Sequence, residues 1–114
     1  MKHIGLCNRH EMCQNDGTPI TEFIFEGEVE EPMDFIGHFH TAKDYFQERF
    51  SKGKWLVGHV NRYTLYVTGL TPCLTATLLA AKATGISTLK LMHYDRETEQ
   101  YLEQDMSGLL TTKL

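Results

Sequence analysis

Cysteine is scarce in this 114-residue chain, and the three present, Cys7, Cys13 and Cys73, are odd in number and form no metal-binding repeat. A disulfide framework is therefore not expected, and a reducing cytosol is the default compartment. Long apolar runs are missing too: none approaches the roughly 20 residues of a membrane span. The opening Met1-Lys2-His3-Ile4 reads as strand rather than as a signal peptide, so the protein is expected to stay where it is made. Positive charge is short, with 11 Lys and Arg against 15 Asp and Glu and a net charge of −4, which argues against wholesale binding of duplex DNA. No internal repeat or low-complexity segment is visible. Thr68-Gly69-Leu70-Thr71 lacks the lysine and glycine spacing of a P-loop and is no dinucleotide fingerprint, so a nucleoside-triphosphate hydrolase is disfavoured.

What is present is enough apolar material, 41% of residues, for one core and one domain spanning residues 1–114. The clearest pattern is Leu65-Tyr66-Val67-Thr68-Gly69-Leu70-Thr71-Pro72, then an Ala/Leu-rich run from Cys73 to Thr84, closed by Gly85. It reads as a buried strand, a tight turn and a helix, with Thr71 as N-cap, Pro72 in the first turn and Gly85 at the C′ position. Ser87 to Tyr94 supplies a further inner strand, and strand, crossover helix and parallel strand make a right-handed unit. The expected fold is a single α/β domain: a mixed sheet of about five strands with two main helices.

Earlier in the chain, His3 to Asn8 reads as a first strand, and the turn-forming Asn15-Asp16-Gly17-Thr18-Pro19 separates it from a second over Ile20 to Glu26. In that second strand one face is aromatic and the other carries carboxylates, as at a sheet edge. The acidic run Glu26, Glu28, Glu30 and Glu31 reads as a solvated linker. From Met33 to about Ser51 the pattern is helical, with Phe35, Phe39, Ala42, Phe46 and Phe50 forming a core stripe. Trp55-Leu56-Val57 begins the next strand or is a connector, and Tyr63 to Thr68 is the strand proper. Asp95-Arg96-Glu97-Thr98 is a hairpin turn leading to a return strand at Tyr101-Leu102, and Met106 to Leu114 reads as a short, fraying end.

In open α/β sheets ligands sit beyond the carboxyl ends of the strands. Three such ends qualify, at Asn8, Arg9 and His10 with Glu11; at Thr68, Gly69, Leu70 and Thr71; and at His93, Tyr94, Asp95 and Arg96. If their strands are parallel neighbours, these ends form one site suited to phosphate oxygens and a nucleobase. Arg9 and Arg96 can each fork two donors onto a phosphate, Tyr94 can stack on a base, and Asn8 or Asp95 can read a polar edge. The helix N-terminus adds backbone N–H groups, and Gly69 allows close approach. The competing reading is of surface arginines bridging Glu11 and Glu97. His38 and His40 stand two apart on a helix, face different ways and make no zinc motif. Cys73 reads as a buried structural thiol. No metal, cofactor or catalytic residue is expected.

Tyr66-Val67-Thr68-Gly69-Leu70-Thr71-Pro72, the small-residue helix and His93-Tyr94-Asp95-Arg96-Glu97-Thr98 with Tyr101 and Gln104 resemble small proteins that handle nucleotide second messengers in prokaryotic antiviral defence. Two families share this look over roughly residues 63–104: phage anti-defence sponges that counter Thoeris by binding cyclic ADP-ribose isomers, and in some members cyclic oligonucleotides, without cutting them, and stand-alone CRISPR ring nucleases that cleave cyclic oligoadenylate. The resemblance implies a cytoplasmic prokaryotic or phage protein whose partner is a cyclic nucleotide, with no duplex DNA or membrane bound. The crossover helix has no histidine, so acid-base work would fall to His10, His93 or Lys90, and the sponge is the preferred reading. A non-catalytic adaptor is the third. A homodimer or higher homo-oligomer is expected, because two helices cannot cover both faces of a five-stranded sheet.

Overall fold

The architecture is taken from a computed structural model that describes residues 1–53 and 61–111. In chain order come β1 (Lys2–Cys7), β2 (Phe23–Phe25), α1 (Phe35–Gly53), β3 (Arg62–Tyr66), α2 (Thr71–Thr84), β4 (Thr88–Asp95), β5 (Gln100–Asp105) and α3 (Ser107–Thr111). The five strands form one sheet in the order β2-β1-β3-β4-β5. Pairing is parallel from β2 through β4 and antiparallel between β4 and β5. The candidate strand at Trp55-Leu56-Val57 lies outside the described residues.

Alternation along the strands sorts side chains to two faces. Ile4 and Leu6, Tyr63 and Leu65, Leu89 and Leu91 are buried in one cluster with Ala42 and Phe46 of α1 and Cys73, Ala80 and Ala81 of α2. The two long helices pack on each other over that face. Each fully buried apolar side chain of this size contributes about 1.5–3 kcal/mol. On the other face Tyr66 and Phe23 meet Met12 and Ile20, with Met92 and Tyr101 beside them. Residues 8–22 thus cross the face opposite the helices, as right-handed connections require when β1 steps one way along the sheet and β3 the other. Gly5 in β1 is needed here, because a Cβ on it would collide with the Phe23 ring.

Several expectations are corrected. Helix α1 starts at Phe35 because the Asp34 carboxylate accepts the Gly37 N–H at 3.0 Å and caps it. Phe35 is 60% exposed and so is not core; His38 and Tyr45 take buried positions instead. The His38 ring bonds the Pro32 carbonyl at 2.9 Å, a satisfied structural histidine. Thr71 is not the N-cap of α2. That position is Leu70, in extended conformation and with no side-chain cap, while Thr71 is already helical and receives the Thr75 hydroxyl on its carbonyl. Gly85 does close α2, at φ 77°. Among the described residues Ser107–Thr111 does not fray but forms α3, which carries Leu110 into the core, and Lys82 Nζ holds the Leu110 carbonyl at 2.7 Å. Among the described residues no helix is long and apolar enough to cross a membrane.

Candidate functional site

Strand order reverses between β1 and β3: β1 is followed by β2 on one side, and β3 by β4 on the other. The gap beyond the carboxyl ends at such a switch point is where open α/β sheets receive ligands. Along this edge the larger cleft, of about 780 Å³, opens beyond β3 and the β4–β5 hairpin. One wall comes from the β3 turn, with Val67, Thr68 and Gly69, and another from the β4–β5 hairpin, with His93, Tyr94, Arg96 and Glu99. The sheet contributes Tyr101, and the segment His10 to Asn15 forms the third wall.

The walls are fixed by identifiable bonds. The Thr68 hydroxyl accepts the Cys7 N–H at 3.2 Å and faces the Cys7 carbonyl at 3.3 Å, tying the ends of β1 and β3 together. Asn15 uses its amide as a strand would, accepting the Tyr101 N–H at 2.8 Å and donating to the Tyr101 carbonyl at 3.1 Å, so the crossing segment is latched to β5. Asp95 holds the hairpin turn, accepting from the Glu97 N–H at 3.0 Å and the Thr98 hydroxyl at 3.2 Å. Glu99 completes that turn at φ 57°, a left-handed conformation uncommon for a residue other than glycine. Tyr94 and Tyr101 stack edge-on at 5.3 Å, and Tyr66 packs on Tyr101 at 4.9 Å, so the cleft has an aromatic side. Burial raises the Tyr66 and Tyr101 phenols above their ordinary value, keeping both hydroxyls neutral donors.

Of the residues expected from sequence, His10, Thr68, Gly69, His93, Tyr94 and Arg96 share the cleft. Asn8, Arg9 and Leu70 line a neighbouring cleft of about 450 Å³. Asp95 braces the turn, and the Thr68 hydroxyl is committed to Cys7. Thr71 lies away from both, in an apolar groove between α1 and α2 with Phe35, Ile36 and Leu79. The α2 N-terminus offers little to an anion: Pro72 has no N–H, and the Cys73 N–H already bonds the Leu70 carbonyl at 3.1 Å. Lys90 pairs with Glu103 at 3.4 Å and lines neither cleft.

The arginines bear on the competing reading, in which they bridge Glu11 and Glu97. Among the described residues neither Arg9 nor Arg96 forms an ion pair, so the expected bridges to Glu11 and Glu97 are not made. Both side chains are exposed at the same sheet edge. Cys7 and Cys73 lie buried against each other near Arg9. Burial, reinforced by Cys73, pushes the Cys7 thiol up to about 12, and burial raises Cys73 as well, so both stay protonated and act as packing. Among the described residues no group of His, Cys, Asp or Glu is arranged to hold a metal ion.

Sequence reasoning missed Met12 to Asn15 and Tyr101 as cleft walls. No local signal marked them, because what fixes this segment lies far along the chain, at Tyr66 and Tyr101. The class defined by these features is a small single-domain α/β protein with a five-stranded mixed sheet and clefts beyond the carboxyl ends of its parallel strands. No family model, no curated protein and no solved structure matches the chain.

Proposed function

We propose that the protein binds and sequesters a cyclic nucleotide second messenger of prokaryotic antiviral defence, with Arg9 and Arg96 on its phosphates and a base against Tyr94. The observation that carries this reading is the pair of arginines without ion-pair partners at the switch-point edge, beside an aromatic wall. An exposed guanidinium with two donor edges is suited to phosphate oxygens, and a tyrosine face takes any base. Glu11 and Glu99 also line the cleft, so its charge is mixed and suits a ligand with few phosphates better than a polyphosphate chain. The role first given to the α2 N-terminus falls to these side chains, since its free N–H groups are too few.

A second reading, ring-nuclease cleavage, is favoured by one feature: His10 and His93 both line the cleft, where a ribose hydroxyl would need a base. His93 is already oriented, its Nε2 2.8 Å from Gln104 Oε1. Incubation with cyclic di- and oligonucleotides followed by thin-layer separation distinguishes the outcomes. Intact ligand recovered after heat release supports sequestration. Linear products that vanish with His10→Ala or His93→Ala mean cleavage, and no interaction leaves the adaptor reading.

Self-association belongs to the same proposal, with a second copy of the chain as occupant of the apolar surface. Met33 (71% exposed), just before α1, lines one apolar groove with Phe35 (60%) and Ile36 (74%) of α1 and Leu79 (59%) of α2, and exposed apolar side chains gathered in one place are a common association surface. Sedimentation equilibrium is expected to give at least twice the 13.1 kDa chain mass; a monomer mass at micromolar concentration removes the dimer.

A further inference from the structure

The two clefts at the strand ends adjoin where Arg9 lies against Gly69. A Cβ placed on Gly69 would come within 3.2 Å of Arg9 Nη1, so the Arg9 side chain lies along bare backbone at that point. Gly69 walls the larger cleft. Arg9 itself, Asn8 and Leu70 wall the smaller one, which Val29 and Pro32 line with apolar surface and Glu26 and Glu28 with carboxylates.

We propose that the two clefts are subsites for one ligand made of two nucleosides joined by a phosphodiester, with one base in each cleft and the linking phosphate on Arg9. The inference rests on the nucleotide reading above and adds the ligand's size and orientation. Three observations carry it. Arg9 lies where the clefts adjoin and makes no ion pair among the described residues, so its charge is available to the phosphate that would cross there. The contents of the clefts differ in kind. The larger has tyrosine faces for stacking. The smaller has an amide, which offers a donor and an acceptor together, and carboxylates that accept from an exocyclic amino group while repelling a second phosphate. A base fits that inventory and a phosphate does not. Adenine is the best match, since an asparagine amide and an acceptor both pair with its amino-bearing edge. Finally, a mononucleotide stacked on Tyr94 would leave the smaller cleft empty and Arg9 with no obligatory partner.

Titration calorimetry with adenosine monophosphate (AMP) and with the linear dinucleotide ApA, which carries one phosphodiester, tests this. ApA is expected to bind at least tenfold more tightly than AMP. Gly27→Phe adds bulk to the smaller cleft at a position where a Cβ meets nothing within 4 Å, so it should fold, as circular dichroism would check. It is expected to bring ApA down to the affinity of AMP, and Asn8→Ala to remove part of the gain. Equal affinities for AMP and ApA in the parent protein overturn the bridge while leaving nucleotide binding intact. A gain for ApA that survives Gly27→Phe in a folded protein overturns the assignment of the second cleft. If neither compound binds at millimolar concentration, the nucleotide reading itself falls and this inference with it.

Discussion

Two charged regions at opposite ends of the parallel strands hold their arginines differently, Arg49 within a closed cluster and Arg9 and Arg96 in the open. At the amino ends Glu22 is the hub of a closed cluster. It accepts from the Tyr45 hydroxyl, lies 3.1 Å from Lys2 Nζ and 3.1 Å from Arg49 Nε, and the Arg49 guanidinium sits 3.6 Å from the centre of the Tyr45 ring. Burial alone would raise the Glu22 pKa, but the hydrogen bonds from Tyr45, Lys2 and Arg49 outweigh it and hold the carboxyl below its ordinary value. At the carboxyl ends Arg9 and Arg96 face solvent without ion pairs among the described residues. Arg49 is thus held by a carboxylate and an aromatic ring, whereas Arg9 and Arg96, like Arg62 at the start of β3, stand exposed without ion pairs among the described residues.

The sharpest way to break this contrast is the double variant Arg9→Ala/Arg96→Ala. If each arginine makes a charge-assisted contact, nucleotide affinity should fall by about 3–5 kcal/mol in calorimetry, less than or equal to the sum of the single losses. Its unfolding free energy should change by no more than about 0.5 kcal/mol, since neither side chain supports the fold. Unchanged affinity would remove the contrast.

Glu22→Ala should do the reverse. It strands a buried phenol and a half-buried guanidinium, for a loss of roughly 1.5–3 kcal/mol in urea unfolding after allowance for partial exposure, with nucleotide affinity unaltered. The cluster also sets an acid response. Because the folded-state pKa of Glu22 lies below its ordinary value of 4.5, its contribution is complete above that pH. It is then lost as the pH falls through the depressed folded value. Glu22→Gln should flatten the stability profile in that window; an unchanged profile would mean that the ion cluster contributes nothing.

Asn15→Ala removes both bonds that latch the crossing segment to β5. The latch is exposed, so stability should drop by about 1 kcal/mol or less, while amide exchange at Tyr101 should accelerate. The smallest effect belongs to Thr71→Ala. An N-cap threonine would be worth about 1 kcal/mol, but Thr71 caps nothing here, and a change below about 0.5 kcal/mol is expected of an exposed site. A larger loss of melting temperature would restore the cap.

Much of the fold was legible because its signals were local and mutually consistent. Gly85 ended α2 where positive φ was needed, and apolar alternation marked the strands. The three strand ends were named from sequence, and parallel pairing from β1 through β3 to β4 brings them to one edge. The stripe of α1 was read too generously at its start: Phe35 has the right period but lies at the helix start, where it is exposed. Thr71 had the chemistry of a cap without the position, since Leu70 and not Thr71 adopts the extended conformation. The fold of residues 8–22 was not legible, because its anchors are long-range: Met12 on Tyr66, and Asn15 on Tyr101, 86 positions away.

By itself, then, the sequence determined the α/β class, the crossover through α2, the absence of a cysteine framework and the identity of the side chains at the strand ends, because each depends on periodicity, composition or turn chemistry within a few residues. Only the tertiary structure decided which charges were paired. Arg49 and Arg9 are the same residue type in a chain rich in carboxylates, and nothing local distinguishes them. Arg49 finds Glu22, 27 positions away, because α1 crosses the start of β2, whereas Arg9 is carried beyond the end of β1 and laid against Gly69. Coulomb attraction acts through space and not along the chain, so the difference between a stabilising arginine and an available one exists only once the sheet has formed.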